Sequence, residues 1–352
     1  MLRAFLAMFS DRSSGLRGRI FGLFAFLIAA NLVAWLWALS AFHGYPLLLG
    51  TALLAYSLGL RHAVDADHIA AIDNVTRKLM QEGKRPIAVG FFFSLGHSSV
   101  VVLASIVVAL SALAFQQKFD AVHQIGGVIG TLVSAAFLLA IAAMNIVILV
   151  GVYRTFQRVK GGGRYVDEDM NALLAGRGFL ARLFRPLFSL IRHSWHMYPL
   201  GLLFGLGFDT ATEIGLLGIS AAEASKGLPI WSILVFPALF TAGMSLVDTA
   251  DSILMLGAYG WAFITPIRKL FYNLTITAVT VVVALLVGGI EALGLVGDKL
   301  NFRGPFWELI GELNGNFGTL GYVIIGIFAA SWLVSSVIYR LKGYDRIEVR
   351  SS

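Results

Sequence analysis

The sequence predicts an all-α, polytopic membrane protein with eight transmembrane helices. Three observations carry that expectation. Of 352 residues, 58% are hydrophobic and only 13% charged, where soluble domains carry about 25% charged residues, and the mean hydropathy is +0.80. The apolar stretches run on for the roughly twenty residues that a bilayer-spanning helix needs, without the short alternating segments of an outer-membrane barrel. The basic residues fall almost entirely between alternate pairs of these stretches, as cytoplasmic loops require.

The elements follow in order. Residues 1–19 carry Arg3, Arg12, Arg17 and Arg19; charge persisting to Arg19 reads as a cytoplasmic lead-in and not as a cleaved signal peptide. Spans are expected at about 20–41, 46–72, 86–115, 125–153, 198–222, 229–258, 265–294 and 317–340. The connection from 73 to 85 holds Arg77, Lys78, Lys84 and Arg85, and the 154–197 connection holds eight basic residues. With both termini cytoplasmic, 22 of the 27 Lys and Arg lie on that side, four (Lys118, Lys226, Lys299, Arg303) lie opposite, and Arg61 falls inside a span. The whole chain, 1–352, reads as a single transmembrane domain of the cytoplasmic (inner) membrane. Its pI near 9.7 reflects this loop bias and does not call for a nucleic-acid partner.

The 154–197 connection is the one long polar loop. Gly161-Gly162-Gly163 and Asp167-Glu168-Asp169 suggest a flexible linker, followed by an interfacial helix around 177–192. His193 and His196 close it. They read as solvated boundary residues, with a metal-collecting role as the weaker reading. There is no cysteine, which excludes disulfides and thiolate metal sites.

Function concentrates in four polar clusters inside apolar spans. The first is Arg61-His62-Ala63-Val64-Asp65-Ala66-Asp67-His68; the second surrounds His97 (Ser94 to Ser99); the third runs from Gly205 to Glu213 and contains Asp209; the fourth runs from Gly243 to Asp251 and contains Asp248. Ionisable groups in hydrocarbon are expensive and normally face a cavity or a pathway. Imidazole with carboxylate is the donor set for borderline divalent metals. His62, Asp65 and His68 share an arc of roughly 120° on an unbroken helix, and Asp67 leaves that arc unless the helix breaks. Asp209 and Glu213 share one face, as do Asp248 and Asp251; His97 must find its partners on other helices. Met244 and Met255 lie on the Asp248 face, where apolar packing is the simpler role. The rival structural readings are an ion pair with Arg61, hydrogen-bonded packing for His97, and close helix contact for the glycines.

An internal echo accompanies the clusters. Residues 58–65 align with 206–213, and 96–100 with 243–247, at offsets of 148 and 147. The echo points to an inverted repeat of spans 2–4 and 5–7, pairing His62 with Thr210, Asp65 with Glu213, Arg61 with Asp209 and His97 with Met244.

The stretches RHAVDADHI (Arg61 to Ile69), LGHSSV (Leu95 to Val100), LFGLGFDTATE (Leu203 to Glu213) and GMSLVDTAD (Gly243 to Asp251) resemble the four signatures of the nickel/cobalt transporter family. The resemblance implies a secondary permease for Ni²⁺, Co²⁺ or both. It places metal-contacting positions at His62, Asp67, His68, His97, Asp209, Glu213, Asp248 and Asp251, and Asp65 joins them from the residue pattern. It implies a metal ion as substrate with no cofactor, in a lipid bilayer, with no nucleic acid and no ATPase subunit. The residues alone imply only a divalent-metal path, whose uptake weakens as histidines protonate below about pH 6.5. Two other classes stay open at this point. One is an intramembrane zinc metalloenzyme with Asp67 as base. The other is a permease for a different divalent metal, or one working as an exporter.

Overall fold

The computed structural model describes residues 9–11, 15–110, 116–160, 191–206, 211–262 and 266–342. Within these residues every regular element is helical. In chain order they are α1 (Leu16–Ala41), α2 (Pro46–His62), α3 (Ala66–Gln81), α4 (Val89–Leu110), α5 (Gln116–Lys160), α6 (Met197–Gly205), α7 (Ala211–Ser225), α8 (Val235–Ala262), α9 (Pro266–Leu300), α10 (Pro305–Gly315) and α11 (Phe317–Leu341). One helical turn, Ile230–Ile233, leads into α8. Six of the described helices are long and apolar enough to cross a membrane, those in α1, α4, α5, α8, α9 and α11. The pair α2 and α3 is together long and apolar enough as well, and is bent by 50° at a short break, as a broken span or a re-entrant loop is. The protein is therefore a multi-pass helical membrane protein.

Burial separates the periphery from the centre. Only 22% of the apolar stretch of α1 and 18% of that of α11 is buried within the protein, against 61% for α4. Leu32, Val33 and Leu36 of α1 and Val334 and Val337 of α11 stay exposed, as residues facing lipid do. Phe93, Phe204, Phe137, Leu138, Ile72 and Leu79 fill the middle.

Several boundaries differ from the sequence reading. The second span does not end at 72: α3 continues to Gln81, so Arg77 is no loop cation but a buried helix residue, 2% exposed. Arg17 and Arg19 lie inside α1, and Arg19 is buried, donating to the Ser10 carbonyl. A helix unforeseen from the sequence, α10, occupies part of the 295–316 connection, opened by Pro305 at its first turn, where proline lacks only a donor that has no partner anyway. The linker and interfacial helix expected within 161–190, and Asp209 with Thr210, lie outside the described residues.

Backbone contacts without side chains knit the centre together. Gly59 of α2 lies against the backbone of Phe240 in α8, and Gly243 of α8 against Tyr56 and Leu60. The same contact recurs between α6 and α4: Gly201 lies against Phe93, and Gly96 against Tyr198 and Leu202. Residues 56, 59 and 60 correspond to 198, 201 and 202 at an offset of 142, while 93 and 96 correspond to 240 and 243 at 147. The sequence carries this register as Tyr56-Ser57-Leu58-Gly59-Leu60 and Tyr198-Pro199-Leu200-Gly201-Leu202. These contacts do not follow the offset of 148 for the first segment.

Candidate metal site

The break between α2 and α3 builds the first half of the site. Asp65 takes the N-cap position of α3 with extended backbone (φ −65°, ψ 148°), a place that suits aspartate because its side chain can usually satisfy the first free N–H groups. Here it makes no such capping bond. Its Oδ2 instead lies 2.8 Å from His62 Nδ1 at the end of α2. The unbroken helical arc expected for His62, Asp65 and His68 is thus replaced by a kink that folds His68 back toward His62, their ring centroids 4.6 Å apart. Asp67 sits in the first turn of α3, where negative charge complements the helix dipole, and it acts electrostatically on His68, His97 and Asp248.

Helix α4 supplies His97, whose ring centroid lies 4.7 Å from that of His62 and 4.8 Å from that of His68. Glycines bring the neighbouring helices this close: Gly90 of α4 rests on the backbone of Asp248 and Thr249, and Gly205 of α6 on that of His97. A Cβ at either glycine would overlap the partner helix. His97 Nε2 lies 2.8 Å from His62 Nε2 and 2.8 Å from Glu213 Oε1 of α7, and His62 Nε2 is 3.9 Å from that same oxygen. His68 Nδ1 faces Asp248 of α8, 3.2 Å from Oδ2 and 3.4 Å from Oδ1. The three imidazoles are buried, and their ligand atoms all lie within 4.8 Å of one another.

The carboxylates fix the tautomers. A carboxylate beside Nδ1 accepts a hydrogen bond from its N–H and leaves the Nε2 lone pair on the opposite side of the ring, the arrangement that orients metal-binding histidines. Asp65 does this for His62 and Asp248 for His68, and His68 Nε2 is buried with no hydrogen-bond partner. His62 Nε2, His97 Nε2 and Glu213 Oε1 form a nearly right-angled triangle with sides of 2.8, 2.8 and 3.9 Å. Its centre is about 2 Å from each corner, the length of a first-row metal bond to imidazole or carboxylate.

Residues 48–338 match the NicO family, described as high-affinity nickel-transport protein. The chain belongs to the NicO family. It is 66% identical over 335 residues to a high-affinity nickel transport protein of Cupriavidus necator, covering 95% of both chains. It is 46% identical over 339 residues to a nickel transporter of Mycobacterium tuberculosis (93% of this chain, 90% of that one). It is 43% identical over 298 residues to a cobalt transport protein of Rhodococcus rhodochrous, covering 84% of each. No solved structure matches the chain. NicO membership places the chain among transport proteins and leaves the hydrolase reading without support.

Within this NicO chain the sequence candidates divide. His62, His68, His97 and Glu213 converge, with Asp65 and Asp248 on the far nitrogens of two histidines and Asp67 beside them. Asp251 lies one turn beyond Asp248 on α8 and is not drawn to the imidazoles. Met244 is fully buried among Ala63, Val101, Leu239 and Phe240, the apolar role expected of it; Met255 packs against a separate apolar cluster. His193 and His196 stack on each other. His193 lies 3.5 Å from Asp11, and His196 Nδ1 accepts the backbone N–H groups of Arg192 and His193; both are engaged in holding this connection.

The sequence reading missed a second buried polar group on α3, α8 and α9, formed by Asp73, Arg77, Tyr259, Thr277 and Thr280. It also missed Ser134 of α5, whose hydroxyl lies 2.9 and 2.7 Å from the two oxygens of Glu291 in α9. Asp73 and Arg77 were readable as an i, i+4 pair of opposite charge, had α3 been carried past residue 72. Glu291 was readable as a single acid inside a long apolar run.

Proposed function

We propose that this chain is a secondary transporter that imports Ni²⁺ or Co²⁺ across the inner membrane through the His62–His68–His97–Glu213 centre. The observation that carries the proposal is the set of lone pairs at that centre: Nδ1 of His62 and His68 is engaged by carboxylates, and Nε2 of His62 and His97 with Glu213 Oε1 surrounds a point about 2 Å from each, within metal-bond length. His97 stands at a right angle between the other two. Right angles belong to octahedral and square-planar ions such as Ni²⁺, and not to the tetrahedral geometry that Zn²⁺ adopts. The carboxylates Asp65, Asp67, Glu213 and Asp248 offset the ion's charge in a low-dielectric interior.

The architecture that goes with this function has eight spans, both termini cytoplasmic, and one transmembrane domain. We assign the fifth span to α6 and α7 together. The reciprocal glycine contacts support an inverted repeat of spans 2–4 and 5–7 in the 142/147 register, with the metal centre between the repeats as in other transporters built this way. Broken crossings put helix N-termini beside the site, where Asp67 of α3 and Glu213 of α7 supply negative charge in the first turn. An inside-negative potential drives a divalent cation inward by about 4.6 kcal/mol per 100 mV, which suffices without ATP. Histidines must be neutral to bind the ion, so uptake declines with acidification.

Radioactive Ni²⁺ uptake in cells, compared with His62→Ala, tests the reading. Accumulation should fall to background in the variant, and unlabelled Co²⁺ should compete better than Zn²⁺. Unchanged accumulation in His62→Ala would overturn it.

A further inference from the structure

The second buried cluster lies farther along the same two helices as the metal centre. Asp73 follows His68 by five residues on α3, roughly 7–8 Å along the axis. Its Oδ1 accepts the Tyr259 hydroxyl of α8 and its Oδ2 the Thr280 hydroxyl of α9 at 3.2 Å. One turn on, Arg77 donates to Thr277 Oγ1 of α9 at 2.8 Å. All five side chains are at most 2% exposed. Between this cluster and the histidines along α8 stands Asp251, whose electrostatic neighbours include Asp73 and Asp248. Its buried Oδ2 accepts no hydrogen bond from the protein.

The order of groups along α3 and α8 is therefore His68 with Asp248, then Asp251, then Asp73 with Tyr259, then Arg77. Beyond them, at the end of α3, Lys78 donates to the Ile191 carbonyl and Lys84 to that of Arg192 at 2.6 Å, on the strongly basic side of the membrane. Resting on the transport reading above, we propose that Asp73, Tyr259 and Thr280 are the closed inner gate of the metal path. Asp251 is the last open carboxylate before the gate, and Arg77 is a fixed cation that stops Asp73 from retaining the ion.

Three physical points support a gate over a purely structural staple. A buried set of polar side chains is a costly way to join helices, since apolar side chains of similar volume do so without burying groups that need hydrogen-bond partners. The two bonds on Asp73 come from two different helices through neutral hydroxyls, which are individually of modest net strength and exchange readily for other partners. The Asp251 oxygen left without a hydrogen bond belongs to a carboxylate near two others, Asp73 and Asp248, a position that attracts a divalent ion leaving the histidines. When Tyr259 and Thr280 release Asp73, the ion can advance, and the Arg77 guanidinium beside Asp73 weakens that carboxylate's hold on it.

The chain contains no cysteine, so one introduced thiol reports alone. Ala70 is fully buried and lies one turn before Asp73 on the same face of α3. In inside-out vesicles, Ala70→Cys should react slowly with a membrane-impermeant methanethiosulfonate. Adding Tyr259→Phe and Thr280→Val should speed that reaction by about tenfold or more, the order expected when two hydrogen bonds favouring one of two states are removed. Radioactive Ni²⁺ should still bind the purified variant, and Thr280→Ser should keep the thiol protected. Unchanged labelling in a variant that binds Ni²⁺ overturns the gate, and so does loss of Ni²⁺ binding, which would make the cluster a structural staple. Failure of the transport reading shows elsewhere, as undiminished uptake in His62→Ala.

Discussion

The two buried polar clusters share α3 and α8 but treat their lone pairs in opposite ways. At the histidine centre, carboxylates occupy the outer nitrogens of His62 and His68, so the hydrogen bonds aim lone pairs into a common space. At the Asp73 cluster, the hydroxyls of Tyr259 and Thr280 cover both carboxylate oxygens from two sides, so the hydrogen bonds remove lone pairs from use. Buried polar groups need partners in either case. What differs is whether the partner leaves a coordinating atom free, and that distinguishes a place where an ion rests from a place where it is held back.

The comparison breaks first at the orienting acids. If Asp65 and Asp248 act by holding His62 and His68 in the Nδ1–H tautomer, Asp65→Asn and Asp248→Asn should each lower Ni²⁺ affinity about 10- to 100-fold, the usual cost of losing such a partner. Equilibrium binding to the purified protein measures this directly. The thermal transition should move little, since an amide of the same shape replaces the acid. Affinity within twofold of the parent for both variants would mean that the histidines are held by something else.

A smaller effect is expected from Gly90, which separates the two clusters by the closeness of α4 to α8. A methyl group there meets the Asp248 carbonyl, so Gly90→Ala should push His97 away from His68 and Asp248 without deleting any ligand. Overpacking of this kind costs about 1–3 kcal/mol. Ni²⁺ affinity should fall while the Ala70→Cys thiol stays protected, because α3, α8 and α9 keep their contacts around Asp73. Equal disturbance of both readouts would show that the clusters are not separable.

Much of the centre was legible in the sequence because membranes make buried charge conspicuous: His62, Asp65, His68, His97, Glu213 and Asp248 each stood out against hydrocarbon. That Asp67 leaves the shared arc unless the helix breaks was also legible from its angle. The position of the break, and its consequence that Asp65 turns back to His62 instead of capping α3, came from a competition between local bonds that periodicity does not resolve. The Asp73 cluster was hidden by the hydropathy of α3. Its polar face, with Asp73, Asn74, Arg77 and Lys78, reads as a loop when hydropathy alone marks the end of a span. In fact Asn74 is bonded to Asn145 of α5 at 2.9 Å and the face is buried in protein. The echo reads in two registers for a related reason: the 148-residue offset matches residue types in the polar motifs, whereas the glycine contacts follow an offset of 142, carried in the sequence by Tyr56, Leu58, Gly59 and Leu60 against Tyr198, Leu200, Gly201 and Leu202.

The smallest expected effect concerns Met244, which the proposed repeat pairs with His97. Its thioether could in principle supply a soft donor to the centre. The side chain is fully buried with Ala63, Leu239 and Phe240 around it, and the nitrogen and oxygen donors already surround a metal-sized point without it. Met244→Leu conserves volume, and such swaps cost less than about 1.5 kcal/mol in stability. Ni²⁺ affinity and uptake should therefore stay within about twofold, since no ligand is lost and the packing is nearly isosteric. A drop comparable to that of Asp65→Asn would place sulfur at the ion. It would also make the two halves of the repeat contribute equivalent ligands from equivalent positions, His97 from one and Met244 from the other, in place of the one-sided histidine centre described above.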